Sequence, residues 1–210
     1  MIVLAYHRVN DALPAGEFVV PVARFREQME LVAEIADQVL VTLDDGYRDN
    51  YLFAYPVLKE LGLKAIIFLT TDYIGTDHKR KRYKDVPWKR DYLNLEEIRE
   101  MAANGISFGA HTATHPHLTK LDVEEAENEI ISSKDFLQGY LGVERPPFCY
   151  PYGEFDDRIK RIVKEAGFSS AYTLRPGIYR PQDDPFEIPR IGVSGTITLK
   201  DFQKLFSRAF

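Results

Sequence analysis

Apolar and polar positions follow two rhythms along this chain. Short apolar runs occur at residues 2–6, 39–43, 64–69, 106–110, 148–150, 170–174 and 187–191. Runs of this length, rich in β-branched and aromatic residues, predict strands covered on both faces, as in a parallel sheet. Between them the apolar spacing becomes helical. Val22, Phe25, Met29, Val32, Ala33 and Ala36 share one face of a predicted helix over 22–36. A helix over 51–61 contains Pro56 as a weak point and closes at Gly62. Asn94 with Glu97, and Asp122 with Glu125, are capping boxes that open helices to about Asn104 and Tyr140. Asp156 caps a helix ending at Gly167, and Thr198 with Asp201 opens the last one. Strand and helix alternate throughout, which predicts a mainly parallel α/β sheet with helices outside. No linker, repeat or low-complexity tract interrupts the pattern, so residues 1–210 read as a single domain.

Several predicted strands end in polar residues: His7, Asp44-Asp45, His111, Tyr152 and Arg190. Binding sites of α/β barrels and open sheets form at the C-terminal strand edge. The recurrence favours a barrel, or nearly one, whose mouth collects all these ends.

Composition narrows the function classes. The chain has 210 residues, a net charge of -5 and 28% charged residues, an ordinary balance for a globular protein. A nucleic-acid binder usually carries a basic face, so this acidic balance argues against such a partner. The only cysteine, Cys149, excludes an internal disulfide and a cysteine-based zinc cluster. No apolar run is long enough for a membrane span. The N-terminus lacks the basic and apolar regions of a signal peptide. As written, then, the expected location is cytoplasmic; a trimmed form of an exported protein would read the same way. No pattern specifies an oligomeric state.

The candidate chemistry starts at Val39–Gly46, where an apolar strand stops in two carboxylates and a glycine. Carboxylates are costly to desolvate unless something offsets their charge. Gly46 permits a sharp turn that can lean both toward one site, whereas consecutive residues of a regular strand point to opposite faces. A solvated turn is the plainer reading. His111 and His115 form a second cluster, on a loop because a strand precedes them and Pro116 follows. Two histidines and one carboxylate are a ligand set of catalytic zinc sites that keep a position open. His117 is a weaker third histidine, supporting or superficial. The basic segment 71–93 is either a solvated loop or a lid over an anionic or polar substrate, with Trp88 or Tyr92 stacking on it.

Thr42-Leu43-Asp44-Asp45-Gly46 resembles the first motif of the polysaccharide deacetylases, the NodB-homology domain of carbohydrate esterase family 4. His111-Thr112-Ala113-Thr114-His115 resembles the second motif, and Phe148-Cys149-Tyr150-Pro151-Tyr152-Gly153 the third. The likeness covers nearly the whole chain. It implies a distorted (β/α)7 barrel, similar to a TIM barrel, and metal-dependent removal of acetyl groups from N-acetylated sugars. By motif position it implies Asp45, His111 and His115 as ligands of a divalent ion, Zn²⁺ first, with Co²⁺, Ni²⁺ or Mn²⁺ as alternatives. Asp44 would be the general base, and the Tyr152 backbone N–H an oxyanion donor beside the carbohydrate substrate.

The chain departs from that pattern twice. Cys149 stands where the third motif commonly has an arginine that pairs with the catalytic aspartate. No histidine follows His117, so the usual C-terminal acid is missing. Arg190 is the expected replacement for the arginine, with Arg145 a weaker candidate. His7, in Tyr6-His7-Arg8-Val9, is the expected acid, because the first and last strands of a closed barrel are neighbours. A Tyr-His pair here also resembles the poly-N-acetylglucosamine deacetylases, whose acid motif precedes the Asp-Asp motif. An O-acetyl esterase of the same family and a non-catalytic glycan-binding barrel are the alternative functions.

Overall fold

The computed structural model describes residues 1–76 and 91–207. The first strand, β1 (Ile2–Tyr6), is buried along its length. Two short strands, β2 (Arg8–Val9) and β3 (Val19–Val20), pair in parallel as a separate ribbon. The main sheet adds β4 (Val39–Leu43), β5 (Ala65–Leu69), β6 (Ser107–Ala110), β7 (Phe148–Cys149), β8 (Ala171–Tyr172) and β9 (Ile191–Gly192). Its seven strands run in the order β8-β7-β6-β5-β4-β1-β9. Every pairing is parallel.

Helices α1 (Val22–Ala33), α2 (Tyr55–Glu60), α3 (Leu95–Ala103), α4 (Val123–Leu141) and α5 (Asp157–Glu165) lie between strands in sequence, and α6 (Leu199–Ser207) follows the last strand. Both expected capping boxes form: Asn94 and Asp122 each accept from the N3 backbone, and Glu97 and Glu125 return the bond. Among the described residues no helix is long and apolar enough to cross a membrane.

Side-chain alternation splits the core in two. Ile2, Leu4 and Tyr6 of β1 join the large apolar cluster that includes the helices. Val3 points the other way and joins Phe68, Cys149, Tyr172 and Ile188 in a small inner cluster. That inner layer is the floor beneath the strand ends.

Three expectations are corrected at the level of elements. The first helix stops at Ala33 rather than at residue 36, and Ala36–Gln38 form a 3₁₀ turn leading into β4. The 51–61 helix opens as a π turn over Asn50–Ala54, and α2 starts only at Tyr55. Pro56 thus falls in the first α turn, where its missing N–H is no loss.

The last strand is also displaced. Residues 188–193 serve two neighbours in succession. Ile188 bridges to Tyr172 of β8, its N–H donating to the Ala171 carbonyl at 2.9 Å. Three residues on, Ile191 and Gly192 pair with Leu4 and Ala5 of β1. Pro189, between them, has no N–H and breaks the ladder. One stretch of chain therefore links the two edges of the curled sheet into a distorted barrel. Arg190 sits at this seam.

Candidate active site

The site is assembled at the C-terminal ends of β1, β4, β6 and β7. The β4 ladder ends as the Asp44 N–H donates to the Tyr6 carbonyl at 2.9 Å. The chain then turns sharply: Asp45 and Gly46 both have φ of 75°. The expected turn needed one left-handed residue; the structure uses two. A Cβ on Gly46 would meet Leu69 Cδ2 at 2.9 Å, so a side chain there would have to push the buried Leu69 aside as well as adopt the left-handed backbone.

Among the described residues, four non-glycine residues have positive φ: Asp45, Thr112, His115 and Tyr152. All four fall in the three motifs. Such conformations cost on the order of 1–3 kcal/mol each and persist where the surroundings over-determine them. Part of that determination is visible around the histidines. The Thr112 hydroxyl donates to the His111 carbonyl at 2.6 Å and accepts the His115 N–H at 2.9 Å.

Asp45, His111 and His115 are buried and converge. One ligand atom from each lies within 4.8 Å of the others. His111 Nε2 and His115 Nε2 stand 3.7 and 3.3 Å from Asp45 Oδ1. The Cys149 carbonyl accepts from His111 Nδ1 at 2.7 Å. A carbonyl only accepts, so the proton sits on Nδ1 and the Nε2 lone pair faces Asp45. Burial lowers the His111 pKa, which Asp44 and Asp45 only partly offset, and a neutral imidazole is the ligating form. This donor set fits a divalent ion. A second group, Asp44, His111 and Cys149, is as close together. It fits less well, because Arg190 engages both Asp44 oxygens and burial pushes the Cys149 thiol well above its ordinary value.

Asp44 is buried and held by Arg190 through two hydrogen bonds of 2.7 Å. Burial alone would raise its pKa. The guanidinium charge and hydrogen bonds outweigh it and hold the carboxyl well below the usual range. Arg190 is itself fixed by the Thr173 carbonyl and the Thr42 hydroxyl, both at 2.9 Å. Its Nη2 lies 3.0 Å from Cys149 Sγ. The small side chain at 149 leaves the space that the guanidinium enters from the seam. Arg145 is exposed and is not part of the site.

His7 Nε2 lies 4.0 Å from Asp44 Oδ2, and its side chain is 17% exposed. Its ring meets Phe18 edge to face at 4.8 Å. These residues line a pocket of about 400 Å³, with Tyr152 and Leu174 on its wall. Glu17, Phe18 and Tyr47 also line it and carried no signal in the sequence, since isolated loop residues have no periodicity or motif. Trp88 lies outside the described residues. Tyr92 is fully buried, stacked on Tyr47 at 5.2 Å, so it does not serve as a stacking surface for substrate.

Known proteins similar to this chain point to one family. The polysaccharide deacetylase family profile matches residues 33–171. His7 and Arg190 lie outside that stretch. YxkH of Bacillus subtilis (strain 168) is 32% identical over 156 residues, 74% of this chain and 51% of that protein. The poly-beta-1,6-N-acetyl-D-glucosamine N-deacetylase of Staphylococcus aureus (strain MRSA252) is 26% identical over 165 residues, covering 74% of this chain and 54% of the relative. The chain thus spans about half the length of these curated relatives. IcaB from Ammonifex degensii has the same fold, with a TM-score of 0.80, 24% identity, and coverage of 99% of this chain and 96% of that one. By its sequence and its parallel, curled sheet, the chain belongs to the polysaccharide deacetylase family.

Proposed function

We propose that this protein is a metal-dependent N-deacetylase acting on N-acetylglucosamine-type glycans. One juxtaposition carries the reading. A carboxylate kept ionised by Arg190 lies next to the Asp45–His111–His115 cradle, with His7 Nε2 at 4.0 Å from it. A base, an ion cradle and a proton donor are what amide hydrolysis needs, because the amide is a poor electrophile and its amine a poor leaving group.

Asp45, His111 and His115 would hold a divalent ion, which would supply Lewis acidity for a carbonyl and lower the pKa of a water. Asp44 takes the proton of the attacking water. Arg190 keeps that carboxylate ionised and points its oxygens, and the Cys149 carbonyl fixes the His111 ring. The Tyr152 N–H donates to the developing oxyanion, a contribution of roughly 3–4 kcal/mol for one well-placed donor. His7 gives a proton to the departing amine. The named activity of the Staphylococcus aureus relative favours β-1,6-linked N-acetylglucosamine as the substrate.

Zinc-loaded protein incubated with N-acetylglucosamine oligomers should release acetate and leave free amines. Acetate from acetylxylan alone would make the protein an O-acetyl esterase. Sugar binding with no acetate from either substrate would make it a glycan-binding barrel.

A further inference from the structure

We infer that His117 is a positioning residue for the sugar substrate, holding Tyr152 in place as a wall of the pocket; this rests on the deacetylase reading above. Tyr152 lines the pocket yet is 46% exposed, so burial does not restrain its ring. Its backbone is left-handed, with φ of 60°. The ring is held from behind. His117, which is not among the pocket-lining residues, stacks on it at 3.9 Å with the planes 8° apart. His115 meets the same ring edge to face at 4.6 Å.

His117 is fixed in turn. Its Nδ1 lies 2.8 Å from Glu154 Oε2, with the two side chains 37% and 44% exposed. Glu154 belongs to the turn that carries Tyr152, and its N–H donates to the Pro151 carbonyl at 3.1 Å. The turn packs closely against the chain just beyond β8: a Cβ on Gly153 would meet Leu174 at 2.7 Å. Turn, tyrosine, histidine and glutamate thus form a closed brace around an otherwise exposed ring. A sugar presents an apolar C–H face, and a ring fixed beforehand receives it without the entropy cost of ordering a free side chain. The turn backbone that carries the Tyr152 N–H is held by its own bonds, Gly153 N–H to the Tyr150 carbonyl at 2.9 Å and Glu154 N–H to the Pro151 carbonyl at 3.1 Å. The histidine at 117 therefore acts on substrate affinity through the Tyr152 ring and not on the bond-breaking step.

The test is steady-state kinetics on β-1,6-linked N-acetylglucosamine oligomers, with zinc content and melting temperature measured alongside. His117→Ala should raise KM about 2- to 12-fold, the cost of one newly freed side chain. It should leave kcat and zinc content near wild type. His117→Phe keeps the stack and should restore KM. Glu154→Ala frees His117 without removing its ring, and should raise KM less than His117→Ala. Unchanged KM in His117→Ala overturns the inference. So does a loss confined to kcat, or loss of zinc, because His117 would then serve the chemistry or the ion cradle. A wild type inert on these oligomers is a failure of the deacetylase reading, not of the brace. Calorimetric binding of the same oligomer to wild type and His117→Ala then decides: weaker binding by the variant supports the brace, and equal binding overturns it.

Discussion

Arg190 and Asp44, 146 positions apart in sequence, meet through two hydrogen bonds of 2.7 Å with both side chains sealed from solvent. Breaking one side of such a pair leaves an uncompensated buried charge, a loss of about 3–5 kcal/mol. Arg190→Met should therefore lower stability by about that amount in denaturant unfolding. It should also reduce turnover while zinc is retained, since Arg190 touches none of the three ion ligands. Arg190→Lys should not restore activity, because a point charge cannot reproduce the two-pronged contact. Unchanged kinetics in Arg190→Met would refute a role for the pair in the reaction.

His7→Ala should fold and keep its zinc. On an N-acetyl substrate it should lose roughly 10²–10⁴-fold in turnover, the usual worth of a positioned acid. On an activated aryl ester, whose leaving group needs no proton, the loss should be much smaller. Equal losses on the two substrates would show that His7 is not the acid.

Removal of the ion should abolish hydrolysis. Dialysis against a chelator is expected to silence the enzyme, and Zn²⁺ or Co²⁺ to revive it. In His111→Ala, elemental analysis should find less than one ion per chain. Stoichiometric zinc at wild-type affinity in that variant would sink the ligand assignment.

A second buried charge cluster predicts a pH effect on stability. Arg8 is shared between two buried carboxylates, 2.9 Å from Asp49 and 2.6 Å from Asp91. Burial pushes Asp49 up to about 6; Arg8 opposes this, and Asp91 adds to it. A carboxyl with a raised folded pKa stabilises the fold in full below its unfolded value, about 3.9, and loses that contribution as pH rises through about 6. Asp49→Asn has no such proton to lose. Its stability relative to wild type should therefore climb between pH 4 and 6 in urea unfolding. A difference that stays flat across that range would refute the shifted Asp49.

Much of the site was legible because motif residues follow directly on strands whose apolar runs are plain. Asp44, Asp45, His111 and His115 fell together because each lies at or just beyond a strand end, where a parallel sheet leaves a common edge. Arg190 and His7 could be anticipated by asking which strand lies beside which. Phe18 could not, because its contact with His7 depends on the path of the loop between β2 and β3, and no spacing in the sequence encodes that. Nor could the left-handed backbone at Thr112, since a β-branched residue rarely adopts it. The Tyr51–Leu61 helix read correctly in kind, but no residue pattern in it signals the π turn over Asn50–Ala54. The displaced last strand had a visible cue in Pro189, whose missing N–H marks where the ladder changes partner.

The seam at residues 188–193 makes chemical competence conditional on completed folding. Its contacts with β1 and β8 join parts of the chain far apart in sequence, and such long-range closures tend to form late because of their loop entropy. Until the seam docks, Asp44 has no guanidinium beside it, and a carboxyl moving out of water without one favours its protonated form. A chain caught with its barrel open thus holds the proposed base without its guanidinium. The final strand works as an interlock: the contact that shuts the cylinder is also the one that favours an ionised Asp44.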